Sequence, residues 1–521
     1  MLWMVRRRAP LYRDSMCRHD RIVTTLQFMA LWLIVVARSF AFGDFSNNEV
    51  DALPIALQFA NPDWLAGDWY LNLTVAYRGL FNVVAGPLVS AFGFKGAAIV
   101  GRLVGHTLFA SAAFLFLRTF RIRFAFGLLA LFLFLNNQSI VAGEWMTGGF
   151  ETKALAWPLV LFSVVAVVHG RWLPAFAAAG AALSFHVLIG LYAIGCMALA
   201  LLINRRTTPL DWRALRNVWA FGLTGAWGIL AVFQHLTGPD GGGSGWGTYV
   251  AFRVPHHVLP DVWSGGLWIA KLVVGLFLVT IAFRRSESPR IRFLAAYAMC
   301  SAGLFGAGLL IWAMGLTDLL RFYWFRFPDS MLPFVSLMLI AYFLSRRLES
   351  MSRRVPAARV RLAEFVLIAA LAVPSLVEVA RGLPSLRPEV RWASSVHAPM
   401  YDWISLNTPR DATFLIDPSE ETFYVRAERS AFVSYKHSPQ SEAEIREWFD
   451  RLTLANGGQR PEGFGIAAAQ RIGQRMAGLE TAQLEEFRDV YGVDYFVGSS
   501  DRSFTFPVVH REGDLSLYRL D

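Results

Sequence analysis

Nine stretches of the chain are continuous apolar runs, near 22–42, 95–117, 122–141, 154–169, 217–236, 263–283, 291–313, 328–346 and 361–381. Runs of roughly 17–25 apolar residues are what an α-helix needs to cross a hydrocarbon core about 30 Å thick. A soluble core has no room for nine of them. The composition agrees: 55% of the residues are hydrophobic, 17% are charged and the mean hydropathy is +0.41, outside the range of soluble globules.

The interval 172–203 (WLPAFAAAGAALSFHVLIGLYAIGCMALALLI) is too long for one crossing, and charge decides how it divides. Short basic loops stand at Arg118–Arg123, Arg171, Asn204–Arg216, Arg284–Arg292 and Arg346–Arg361, besides the arginine-rich N-terminus. Cytoplasmic loops concentrate Arg and Lys. If 172–203 is a hairpin turning near Ser184–His186, all these segments fall on one side; if it is a single span, three of them cross to the other. The hairpin gives about eleven transmembrane helices, with the N-terminus cytoplasmic and the C-terminus extracytoplasmic. The net charge of +10 is then a property of those loops, and nucleic acid is not a partner. The segment 1–21 is a basic N-terminus leading into an uncleaved signal anchor. Three cysteines, Cys17, Cys196 and Cys300, offer neither a disulfide framework nor a CxxC site.

This topology divides the chain into a cytoplasmic tail (1–21), a membrane domain (22–383) and an external domain (384–521). In the last, DATFLI and YFVG have strand length, SEAEIREWFDRL and TAQLEEFRDVY have helical periodicity, and VVHREGDLSLYRL reads as a hairpin turning at Glu512–Gly513. The expectation is a small α/β domain with its own core.

The polar chemistry gathers on the outer side. The loop 43–78 carries Asp44, Glu49, Asp51, Asp63 and Asp68, with aromatics suited to the membrane interface. Carboxylates just outside a bilayer can deprotonate a hydroxyl, hold a divalent cation, or keep a loop solvated. Asp44, Glu49 and Asp51 stand where the chain leaves the membrane and are the catalytic candidates; Asp68 belongs more to an interfacial helix and its connection. In GEWMTGGFETK, Glu144, Glu151 and Lys153 meet where Gly148–Gly149 permits a tight turn. In LTDLLRFYWFRFPDS, Arg321 and Arg326 sit among aromatics beside Asp329, a composition suited to gripping a phosphate. Arg102 and His106 share one face of a span, as an intramembrane polar pair, and His186 marks the hairpin turn. The glycine-rich Gly238–Gly247 lacks the lysine of a phosphate loop, and His256–His257 lacks a third zinc ligand. Tyr424, Arg426, Arg429 and Lys436 are read as ordering the external domain.

Taken together, a cytoplasmic basic N-terminus, one span, an acidic external loop, about ten more spans and an external α/β domain resemble the GT-C class of polytopic glycosyltransferases. GGFETKALAWPLVL with GRW and FHVLIG, RFYWFRFPDSMLPF, and the tail segments WISLNTPRDATFLIDP, FYVRAERSAFVSYK and EIREWFDRL are similar to an uncharacterised bacterial branch of that type. The resemblance implies a bacterial inner-membrane enzyme that transfers a sugar from a polyprenyl-phosphate donor to a glycan or lipid acceptor of the envelope, with inversion. One of Asp44, Glu49 or Asp51 would be the base. Asp68, Glu151, Lys153, His186, Arg321, Arg326 and Asp329 would bind substrate. The adjacent Asp-Glu pair of some mannosyltransferases and the WWD motif of oligosaccharyltransferases are absent. No motif requires a cofactor, though the acids are of the kind that holds a divalent cation. A non-catalytic scaffold for envelope assembly is the alternative, and a lipid or solute transporter comes below it, because no internal repeat is visible.

Overall fold

The computed structural model describes residues 10–73, 78–207, 212–237, 245–351 and 356–520. Arg6–Arg8 and most of Gly238–Gly247 lie outside them. The N-terminal half is helical: α1 (Pro10–Ser39), α2 (Glu49–Ala60), α3 (Gly79–Thr119), α4 (Phe124–Asn136), α5 (Thr152–Val168), α6 (Trp172–Phe185) and α7 (Val187–Ile203). Helices Leu267–Arg285, Pro289–Ala313, Arg326–Met351 and Ala357–Gly382 complete the bundle. Each expected run is found in a helix, with two refinements. The run at 95–117 is the second part of α3, which kinks at Gly93 (φ 66°, ψ 175°), a conformation that costs glycine little and other residues much. The run at 217–236 is two short helices, Val218–Thr224 and Ala226–Thr237.

The interval 172–203 does break at His186, whose ring caps α7 by accepting the Ile189 amide at 3.4 Å. Its helices therefore return to the end they started from, and the basic loops meet there. Thr119 bonds His169 at 3.1 Å, Arg290 donates to the Thr119 carbonyl at 3.0 Å, and Arg123 reaches Ser345 and Glu364. The bundle thus has a basic end and, opposite it, an end where the acidic loops collect. Its interior is close-packed aromatic and aliphatic surface, with Trp157 stacked on Phe327 at 5.0 Å. The outward faces are apolar too: Leu223 is 70% exposed and Phe365 68%. Lipid is the solvent that tolerates such a surface.

From residue 398 the chain forms a five-stranded sheet of order β2-β1-β3-β5-β4, with β1 Thr413–Leu415, β2 Ser430–Ala431, β3 Tyr495–Ser499, β4 Val508–Glu512 and β5 Leu515–Arg519. The hairpin turns at Gly513 (φ 58°). Strand β1 runs parallel to β2 and β3, and β5 is antiparallel to β3 and β4. Helices Glu442–Ala455 and Thr481–Tyr491 fall where their periodicity predicts them; Gly465–Met476 and β2 were not anticipated. This unit docks on the acidic end through one continuous apolar core that includes Tyr249, Phe252, Phe325, Phe432, Trp448 and Phe496.

Candidate functional site

The first loop is held by a buried ion pair. Arg102 of α3 donates through Nε to Glu49 at 2.8 Å and through Nη2 to the same carboxylate, and neither side chain touches solvent. The guanidinium also serves the carbonyls of Ala41 and, at 2.9 Å, Asp44. Glu49 accepts two further amides, Ser46 at 2.8 Å and Phe150 at 2.5 Å. An arginine nine residues past the kink of a membrane helix needs such a partner, since an unpaired charge there is costly. His106, one turn on, contacts the Arg102 carbonyl with Nδ1. Asp44 accepts the amides of Phe45, Ala393 and Ser394 at 2.8, 2.8 and 3.2 Å. It therefore clips the first loop to the segment leading into the C-terminal unit. Both acids are fully occupied in holding the architecture.

The loop after α4 is pinned in the same way. Asp329 is buried at the start of Arg326–Met351, and its carboxylate accepts the amides of Ile140, Val141, Ala142 and Glu144 at 2.8–3.2 Å. That wrap delivers Glu144 between Lys153 (2.9 Å) and Arg326 (2.6 Å). Burial opposes charge on Glu144, but these cations outweigh it and hold the carboxyl far below its usual range. Lys153 lies over the Trp145 ring at 3.6 Å and Arg326 over Tyr323 at 3.9 Å. Arg321 lies over Trp246 at 4.5 Å, with no carboxylate paired to it among the described residues. Gly148 and Gly149 have ordinary φ. Gly149 is needed for approach instead, because a Cβ there would stand 2.0 Å from the Ser46 hydroxyl.

Between these ties lies a polar wall shared by three loops and the C-terminal unit. Asn48 is its centre: the amide nitrogen donates to Glu151 at 2.8 Å, and its oxygen accepts from Lys436 at 3.1 Å. Glu151 also accepts from the Trp145 indole at 2.8 Å and is 3.9 Å from Lys153. Burial, with Glu144 adding to it, raises its pKa despite Lys153. Lys436 has no carboxylate within ion-pair distance among the described residues. Burial and the neighbouring Arg253 press its ammonium down to about 8, against Glu421, Asp51 and Glu151. Arg253 donates to the Lys436 carbonyl at 3.2 Å, lies over Tyr435 at 5.0 Å, and leaves Nε without a partner. Asp51, on the other side, accepts from Tyr70 at 2.6 Å and Arg78 at 2.5 Å. Burial raises its pKa, but Arg78, His437 and Tyr70 outweigh it and hold the carboxyl at about 2.

His257 meets the Ala142 carbonyl with Nδ1 at 2.6 Å. Burial keeps its ring neutral, so Nδ1 donates and Nε2 remains an acceptor. His186 lies within the field of Arg326, Glu144 and Lys153, which puts the hairpin turn at this same end. Asp68 is farther out: it accepts from Leu71, Tyr424 and Ala431 at 2.8–3.2 Å, and burial pushes its carboxyl up to about 6. Arg426 pairs with Asp402, and Arg429 caps carbonyls of residues 404–408. Of the tail residues expected to be structural, Tyr424, Arg426 and Arg429 are so engaged, whereas Lys436 faces the polar wall. Asn48 and Arg253 were not among the residues singled out from the sequence, and Glu144 was noted beside Glu151 and Lys153 without a role. Asn48 carried no signal as an uncharged residue in an acidic loop. Among the described residues, no three His, Cys, Asp or Glu side chains are grouped closely enough to hold a metal ion.

A family model described as a domain of unknown function (DUF6798) matches residues 397–455, which include Tyr424 and Lys436. No curated protein matches the chain significantly. Among solved structures the chain is similar to ArnT from Cupriavidus metallidurans. The form bound to undecaprenyl phosphate is 13% identical, with a TM-score of 0.50 over 96% of this chain and 98% of that one. The apo form is 13% identical, with a TM-score of 0.51 over 97% and 98%. An oligosaccharyltransferase from Archaeoglobus fulgidus, tethered to an acceptor peptide, is 11% identical over 91% of this chain and 69% of its own, with a TM-score of 0.43. At the ArnT level of identity the likeness is one of fold, and it runs the length of the chain: this is a polytopic membrane protein with the GT-C fold.

Proposed function

We propose that the protein is an inverting membrane glycosyltransferase that takes a sugar from a polyprenyl-phosphate carrier and passes it to an envelope acceptor at the acidic end of the bundle. That end would face outward, with the basic loops in the cytoplasm. The observation that carries the reading is the Glu151–Asn48–Lys436 chain, flanked by Arg253. One amide there separates a carboxylate of raised proton affinity from a lysine and an arginine that have no carboxylate within ion-pair distance among the described residues.

In this reading Glu151 is the base. Asp44 and Glu49 are spent on structural ties, and Asp51, held at about 2 between Arg78 and Tyr70, is poorly basic. Glu151 accepts the proton of the acceptor hydroxyl as its oxygen attacks the anomeric carbon from the face opposite the phosphate. The bond from that carbon to the phosphate oxygen breaks, the electron pair leaves with the lipid phosphate, and configuration inverts. Lys436 and Arg253 stabilise the developing charge. Lys153 and Arg326, both committed to Glu144, position that wall and do not grip phosphate themselves. The acids tied up in structure favour a second reading, a non-catalytic scaffold of the same fold.

Purified protein in vesicles, offered labelled polyprenyl-phosphate sugars, decides between them. Glu151→Gln should lower transfer by about 10²–10⁴-fold and Lys436→Met by about 10²–10³-fold, with melting behaviour unchanged. Undiminished transfer by folded Glu151→Gln would remove the assignment of the base. No transfer by the parent protein with any donor would favour the scaffold.

A further inference from the structure

A cavity of about 520 Å³ lies away from the acidic end, between α5, α6, α7, Val218–Thr224 and Pro289–Ala313. Its walls are apolar, with Val160, Ala175, Ala193, Met197 and Phe221 among them. Ser163 also lines it, but its hydroxyl is satisfied by the Ala175 carbonyl at 3.0 Å. Two polar groups are not explained by the fold. Tyr297 is fully buried, lines the cavity, and its hydroxyl has no partner among the described residues. Arg205, just past the end of α7, stands at the rim and is exposed. The segment 204–216 that follows carries Arg205, Arg206, Arg213 and Arg216 against one acid, Asp211.

The two groups are at different depths. Tyr297 is eight residues into a helix that begins at Pro289 at the basic end, and so about 12 Å below it at ~1.5 Å per residue. A cation at the rim, a lone hydroxyl below it and apolar walls around them match one ligand chemistry: a phosphate headgroup, an ester carbonyl and an acyl chain. Basic pockets between membrane helices at a positively charged face attract acidic lipids by this combination, and the volume falls in the usual range of ligand pockets.

We infer that this cavity is a binding site for an anionic glycerophospholipid of the leaflet at the basic end, its phosphate on Arg205 and an ester carbonyl accepting from Tyr297. The site is independent of the transfer reaction: it neighbours none of the acids or cations of the polar wall. The lipid would wedge α6 and α7 against Pro289–Ala313, fixing the hairpin whose turn reaches the opposite end.

The test uses the full-length protein, delipidated in mild detergent. Phosphatidylglycerol should raise the melting temperature by several degrees and stay bound at one copy in native mass spectrometry, whereas phosphatidylcholine and polyprenyl phosphate should not. Arg205→Gln should weaken phosphatidylglycerol binding by roughly fivefold. Ala193→Trp, which fills the cavity, should abolish retention. Tyr297→Phe should erase the preference for ester over ether lipids. Equal shifts with phosphatidylglycerol and phosphatidylcholine, or equal binding of polyprenyl phosphate, would overturn the assignment. Should Ala193→Trp fail to fold, the exposed pair Arg205→Gln/Arg206→Gln decides: undiminished phosphatidylglycerol retention in that variant refutes it.

Discussion

Replacing Arg102 by methionine tests how the first loop is held. Methionine fills much of the arginine's volume but removes four hydrogen bonds: two to Glu49 and one each to the carbonyls of Ala41 and Asp44. Glu49 keeps the amides of Ser46 and Phe150 and loses its countercharge where solvent does not reach. Stranding one partner of a buried pair costs about 3–5 kcal/mol, or roughly 10²–10⁴-fold in the folded population at ~1.4 kcal/mol per decade. Glu49→Gln strands the arginine instead and should cost a similar amount. The double variant removes both charges and should recover at least half of that loss, so the two single effects are far from additive. SDS unfolding in mixed micelles, followed by tryptophan fluorescence, reads all three. Arg102→Met within about 1 kcal/mol of the parent would refute the reasoning. A Glu49→Gln protein as stable as the parent but unable to transfer sugar would return Glu49 to the chemistry.

Lys436 must be protonated to hold a phosphate, so kcat/KM should fall as pH rises through about 8. Lys436→Arg should carry that limb to higher pH, and a profile flat across this range counts against the role. Asp68 behaves with the opposite chemistry and the same direction: its folded-state pKa is raised from 3.8 to about 6. Its stabilising contribution is complete below pH 3.8 and is lost through about 6, a change of about 3 kcal/mol. Asp68→Asn should flatten the stability profile in that window; an unchanged slope would assign it to other groups. Asp329→Ala leaves the amides of Val141, Ala142 and Glu144 without their acceptor, while Ile140 keeps the main-chain carbonyl of residue 329 at 3.1 Å. At about 1–3 kcal/mol for each buried group left unsatisfied, the loop should open, seen as proteolysis near residue 140; protection equal to the parent would refute the pinning role.

The bundle was legible because length and charge act locally. A run of about twenty apolar residues states its own requirement, and the arginines between runs required 172–203 to fold back, which it does at His186. Four of the five strands and two helices of the C-terminal unit were legible for the same reason. The site was legible only in part, through Glu151 and Lys153, because a carboxylate beside a membrane looks the same in sequence whether it faces water, substrate or a buried arginine. The partner decides, and the partners are remote: Arg102 is 53 residues from Glu49, Asp329 is 185–189 from the amides it binds, and Lys436 is 388 from Asn48. Those pairings reverse the weight of the acidic loop. Four of its five acids, the visible signal, are consumed by Arg102, Arg78, Tyr424 and the amides of residues 393 and 394, and the fifth, Asp63, is exposed. The residue it extends to the polar wall is the neutral Asn48, placed there because Glu49 and Asp44 are anchored on either side. An amide suits that place: it donates to Glu151 and accepts from Lys436 at once, which a carboxylate cannot do. Asn48→Asp would set a second negative charge against Glu151, so this position selects against the very residue type that marks the loop in sequence.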